Sequence, residues 1–196
     1  MTPAERRRDV VLAGHRADAA TAREALTDAD AVVRVAALGA LERSGALDDS
    51  ALTAGLRDTD PTVRRRAAEL AARHPDVSLL DALADRDDRV VEMAAFACGE
   101  REQEVPDVVA RLSALVEEHG DALVREAAVA ALGAIGADAG LPAILHAAAH
   151  DRPAVRRRAV IALAPFDGPE VDAALAHALD DRDWQVRQVA EDLQAP

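Results

Sequence analysis

One short pattern recurs six times along this chain. Val stands at 33, 63, 90, 124, 155 and 186, and Ala follows each four residues later: Val33 and Ala37, Val63 and Ala67, Val90 and Ala94, Val124 and Ala128, Val155 and Ala159, Val186 and Ala190. Arg comes directly after the Val in five copies, as Arg34, Arg64, Arg125, Arg156 and Arg187. The copies lie 30, 27, 34, 31 and 31 residues apart. A period in this range means units that cannot bury their apolar face alone and must stack on their neighbours. That constraint rules out most architectures before any other residue is considered.

The composition narrows the secondary structure to helix. The chain has 196 residues, half of them hydrophobic, with no Tyr, one Trp and two Phe. Ala, Leu and Arg, all strong helix formers, dominate, and the alternating β-branched and aromatic runs of strands are missing. All 23 basic residues are Arg; the absence of Lys reads as codon bias rather than function. The expected class is all-α.

The second copy shows how one unit is built. Asp60 is placed to cap a helix and Pro61 suits its first position. Val63, Ala67, Leu70 and Ala71 then share one face of that helix, here termed helix B. Upstream, residues 51–56 belong to a shorter helix A. Helix A is expected to begin near Thr21, Ser50, Val77, Val105, Leu141 and Val171. Helix B should follow Asp30, Asp60, Asp87, Asp121, Arg152 and Asp183. Breaks are expected at Ser44-Gly45, His74-Pro75, Gly99, Gly136 and Gly168-Pro169. A helix over residues 4–14 caps the first repeat with its charged face. The small Ala after each Val lets helices A and B approach closely. One domain spans 1–196, with the capping helix in 1–18 and six repeats in 19–196.

Asp–x–x–Val–Arg followed by Ala, on the second of two helices at about 31 residues, resembles the HEAT repeat. The short period is similar to the compact repeats of phycobilisome lyases. The resemblance runs from about residue 20 to 194 and implies a right-handed α-solenoid whose concave face, lined by B helices, binds other macromolecules. Two copies depart from it: Val91 replaces the Arg of the third, and Arg152 replaces the capping Asp of the fifth.

Few residues suggest chemistry. Asp30, Asp60, Asp87, Asp121 and Asp183, three before each Val, read as helix caps with ladders to the Arg that follows the Val. His146 and His150 lie i, i+4 on one helix face, and His177 repeats the register of His146. Zinc generally takes three or four protein ligands, so no metal site and no cofactor is expected. HEAT-like iron hydroxylases use His-Glu dipeptides, and this chain contains none. The net charge of −13 opposes a nucleic-acid partner. The Arg triplets at 64–66 and 156–158 are separated in their row by Glu92 and Glu126, and Trp184 is the one Trp. A single cysteine, Cys98, excludes an intrachain disulfide framework. No apolar run is long enough for a membrane span, and a cytoplasmic monomer is expected.

The face opposite the Val/Ala stripe falls two, six and nine residues after each Val. The first row reads Val35, Arg65, Glu92, Glu126, Arg157 and Gln188. The second reads Gly39, Glu69, Phe96, Ala130, Ile161 and Asp192. The third is mostly small: Glu42, Ala72, Gly99, Gly133, Ala164 and Ala195. An apolar centre with a charged rim is the anatomy of a protein interface. The sequence reading is therefore a non-catalytic scaffold or adaptor for a protein partner, with Phe96 and Ile161 as anchors and Arg65, Glu92, Glu126 and Arg157 selecting the partner. The alternatives are an accessory subunit or chaperone-type lyase of a protein-modification system, and a HEAT-like DNA-binding or DNA-repair protein.

Overall fold

The computed structural model describes residues 1–101, 103 and 105–194; Ala195 of the third row lies outside them. All regular elements among these residues are helical. The chain falls into two compact units, Met1–Ala82 and Leu83–Pro196. The first holds α1 (Pro3–His15), α2 (Ala19–Glu24), α3 (Ala31–Arg43), α4 (Asp49–Leu56) and α5 (Pro61–Ala71). The second holds α6 (Asp88–Arg101), α7 (Pro106–Glu118), α8 (Ala122–Ile135), α9 (Leu141–His150), α10 (Pro153–Ala162), α11 (Pro169–Leu179) and α12 (Trp184–Gln194). Within the first unit α1 packs on α3 and α3 on α5; within the second, α6, α8, α10 and α12 pack in succession, with α7, α9 and α11 beside them. This is the layered arrangement of an α-solenoid, built of B helices against A helices.

The starting points of all six B helices agree with the sequence to the residue. Every repeated Val and Ala, from Val33 and Ala37 to Val186 and Ala190, is buried. The close A–B approach is visible at Gly55 on α4, where an added Cβ would stand 3.0 Å from Ala67 Cβ.

Two expected boundaries move. No α-helix forms at Val77; the only regular helical turn there is a 3₁₀ turn over Ala82–Ala84. This repeat has the shortest spacing, 27 residues, and the missing length is taken from helix A. Val77, Leu79 and Leu83 still bury their side chains. Conversely the longest spacing, 34 residues, carries the 13-residue α7. Gly99 does not break its helix either. It lies inside α6 against α8, where its absent Cβ would sit 3.0 Å from Ala131 Cα.

At Gly99 and Gly133 the third row is not a free surface, because adjacent B helices touch there, whereas Ala164 is exposed. A Cβ on Gly133 would lie 2.6 Å from Ala162 Cβ and 2.7 Å from its Cα, and one on Gly14 would lie 2.8 Å from Ala40 Cα. Gly14 occupies in α1 the place that Gly99 and Gly133 occupy in α6 and α8. The N-terminal helix thus packs on α3 in the register of a B helix.

The Asp row three before each Val caps its helix as expected. Asp30, Asp60, Asp87, Asp121 and Asp183 each accept the N–H two residues on, at 2.7–3.0 Å. At the fifth helix, Arg152 makes no side-chain cap. The ladder to Arg, however, is made by a different row, five before the Val. Arg34 grips Asp58 with both arms of its fork at 2.7 and 2.8 Å. Arg6 does the same to Asp28 at 2.7 and 2.9 Å, and Arg156 to Asp181 at 2.6 and 2.8 Å. Arg125 holds Asp151, one position later in the repeat that lacks the capping Asp, at 2.6 and 2.7 Å. Each of these carboxylates except Asp151 also accepts the N–H of its own repeat's capping Asp; Asp151 accepts that of Arg152. The capping Asp is committed to its own helix end, and the Asp two residues earlier meets the neighbouring repeat's guanidinium.

The rung is replaced at both ends in one place. Val91 stands where the third Arg would be and is buried, and His119 stands where the fourth Asp would be. His119 Nδ1 accepts the Asp121 N–H at 3.1 Å, which preserves the turn.

The rungs set the acid sensitivity of the fold. Hydrogen bonds from Arg6 and Arg156 hold Asp28 and Asp181 below the usual carboxylate range. For Asp58 and Asp151 partial burial pushes upward, and the bonds from Arg34 and Arg125 with backbone N–H donors more than reverse it. A carboxylate whose pKa is lower folded than unfolded stabilises the fold above its unfolded value, about 4, and that stability is lost as the pH falls through the folded value. The urea midpoint should therefore be flat from neutrality to about pH 5 and drop steeply below about pH 4. Arg156→Val leaves buried Asp181 unpaired and should cost about 3–5 kcal/mol. Adding Asp181→His to it reproduces the Val91/His119 pair and should recover most of that loss in urea titrations. Gly133→Ala should destabilise by about 1–3 kcal/mol in the same assay, although Ala is the better helix former, because α8 and α10 must separate.

Candidate functional site

The six interface positions read from the sequence do not all meet. Arg65 lies exposed on α5 of the first unit. In the second unit Phe96 and Ile161 both point outward, 49% and 40% exposed, while Glu92, Glu126 and Arg157 are half-buried. Glu92, Phe96 and Glu126 line a groove of about 610 Å³, within the range of pockets that hold ligand groups. Arg157 and Ile161 do not line it. Met93, Leu123 and Arg158 do, and Leu123 is the most exposed apolar side chain there, at 59%.

The groove exists because of a size difference between neighbouring B helices. At three, six and ten residues after the Val, α8 presents Ala127, Ala130 and Ala134. At three and six, α6 presents Met93 and Phe96, and α10 presents Arg158 and Ile161. The floor is thus alanine and glycine, and α6 supplies the taller wall. The first unit fills the equivalent space: over Gly39 of α3, Arg66 and Arg43 lie within 3.4 and 3.5 Å of where a Cβ would be. Projection at 100° per residue put Phe96 on the outward face, where it is exposed. It missed Leu123, which precedes its Val by one residue and sits in the first turn of α8; its large apolar side chain beside a capping Asp was the available signal.

Carboxylates surround the groove. Glu92 and Glu100 flank Phe96 one turn on either side, and Glu126 faces from α8. Glu126 lies 3.5 Å from the Arg158 guanidinium. Neither Glu92 nor Glu100 has an ion-pair partner among the described residues.

The histidines gather only in part. His146 and His150 stand with ring centroids 5.0 Å apart, and with His119 and Arg125 they line a shallow depression of about 220 Å³. His177 is exposed and outside it. Among the described residues no three His, Cys, Asp or Glu side chains are placed to hold a metal ion. The Arg125 fork that borders this depression is committed to Asp151. Cys98 is buried inside α6, and burial pushes its thiol up to about 11. Trp184, at the start of α12, is 64% exposed. No helix among the described residues is long and apolar enough to cross a membrane.

HEAT repeats match three overlapping stretches, residues 50–133, 77–152 and 109–194. The chain belongs to the HEAT-repeat family. None of the curated proteins matches it. Among solved structures it is similar to the Escherichia coli protein YibA, at 20% identity and a TM-score of 0.64, over 86% of this chain and 67% of that one. It is also similar to an engineered protein, at 20% identity and 0.62, over 89% and 94%. At this identity the likeness shows the fold. Human deoxyhypusine hydroxylase superposes at 20% identity over 89% and 82%, with a TM-score of 0.45, too low to carry an argument about activity.

Proposed function

We propose that this chain is a non-catalytic protein-interaction scaffold whose second unit receives a partner in the groove across α6 and α8. The observation that carries the reading is the pairing of exposed Phe96 and Leu123 above a floor of alanines. Large apolar side chains beside an open, small-residue floor give a partner's anchor somewhere to bury, and buried anchors contribute most of the energy of an interface. The fold supports it, since HEAT repeats serve generally as interaction scaffolds. The unpaired Glu92 and Glu100 weigh against phosphate backbones as the ligand.

The test is affinity purification from the native host with mass spectrometry, using the parent chain and Phe96→Asp side by side. Phe96 is half exposed, so Phe96→Asp should keep the helical circular-dichroism signal and the unfolding midpoint within about 0.5 kcal/mol. Proteins retained by the parent should be lost by the variant, and Ile161→Asp, outside the groove, should lose less. Equal retention by the parent and Phe96→Asp overturns the site.

A further inference from the structure

We infer that the groove takes a cationic amphipathic helix, one whose apolar anchor is flanked by Lys or Arg about one turn before and after it. The inference rests on the proposed interaction site and adds the chemistry of its occupant. Glu92, Phe96 and Glu100 follow at intervals of four along α6, so the two carboxylates bracket the aromatic ring at about 6 Å per step. A helix lying along the wall and placing one side chain against Phe96 and Leu123 has its own residues at i−4 and i+4 beside those carboxylates. Among the described residues, Glu126 is the one of the three groove carboxylates that has a cation, from Arg158. The other two leave a local negative excess next to apolar surface. There a cationic side chain gains both an ion pair and the packing of its methylene stem.

The wider field acts in the same direction. The chain carries a net charge of −13, which raises the encounter rate of cationic segments and disfavours acidic ones. An anionic lipid surface or a nucleic acid meets the wrong sign. Within the second unit, Arg125 and Arg156 are held by Asp151 and Asp181 and do not offset the groove's charge.

A displayed library of short helical peptides, selected at low ionic strength on the full chain and counter-selected on Phe96→Asp, tests this. The expected winners have an apolar residue flanked at four-residue intervals by Lys or Arg. Synthetic versions should weaken about tenfold on Glu92→Lys/Glu100→Lys, and should weaken steadily with added salt. Leu123→Asp provides a second groove variant should Phe96→Asp lose its helical signal. Winners that are neutral or acidic, yet still depend on Phe96 or Leu123, overturn the charge assignment and leave the interaction site standing. Winners indifferent to both groove variants overturn the two together.

Discussion

The rung between an Arg and the carboxylate of the following repeat is the interaction on which the rest of this structure depends. Each guanidinium does two things at once. Its fork closes on the next repeat's Asp, and its remaining nitrogen donates to a backbone carbonyl in its own turn: Arg34 to Asp28, Arg125 to His119, Arg156 to Asp151. For Arg34 and Arg156 that carbonyl belongs to the residue that carries the rung below, so turns and repeats are tied into one line within each unit. In the first unit it runs Arg6, Asp28, Arg34, Asp58, Arg64; in the second, Arg125, Asp151, Arg156, Asp181, Arg187. A planar fork accepts a carboxylate in few orientations. The apolar seam of Val and Ala supplies burial but slides easily, since its parts are small and alike. The rungs are what give the stacking a fixed register.

This division of labour explains why the paired loss at Val91 and His119 is tolerated. Removing one member of a desolvated ion pair leaves a charge without compensation, whereas replacing both by groups that fit is close to neutral. His119 keeps the turn's hydrogen bond through a ring nitrogen, and Val91 joins the buried layer. The deviation that looked like an isolated flaw in the third copy is half of a matched substitution.

The period and the caps were legible because they are local. An Asp before Pro or Ala and a Val–Ala stripe at helical spacing fix where α3, α5 and α8 begin. The exposed face was legible to the extent that rotation along a straight helix is regular, which located Phe96 and Ile161. The long-range pairings were not legible. Asp58 and Asp60 are both carboxylates two residues apart, and the choice of rung depends on which one the turn leaves facing the neighbouring helix. Gly99 and Gly133 likewise read as helix stops or free surface when taken alone. Their meaning is a contact with Ala131 and Ala162, some thirty residues away.

The candidate site follows from the same logic of size. A row of alanines on α8 costs the fold nothing, because positions three, six and ten after the Val take no part in the seam or the rungs. It does leave space that α6 and α10 overhang. In the first unit Arg43 and Arg66 cover the corresponding glycine with their long side chains, and Arg66 is steadied by Glu69 at 2.8 Å. No such cover forms over Ala130: the arginine available on α10, Arg158, is drawn aside by Glu126, and α6 offers Met93 and Phe96 instead. An exposed aromatic ring, an uncovered floor and two carboxylates without partners thus arise together from substitutions at positions the repeat leaves free. For that reason the proposed binding role falls on them, and the repeat motif itself serves to hold them in place.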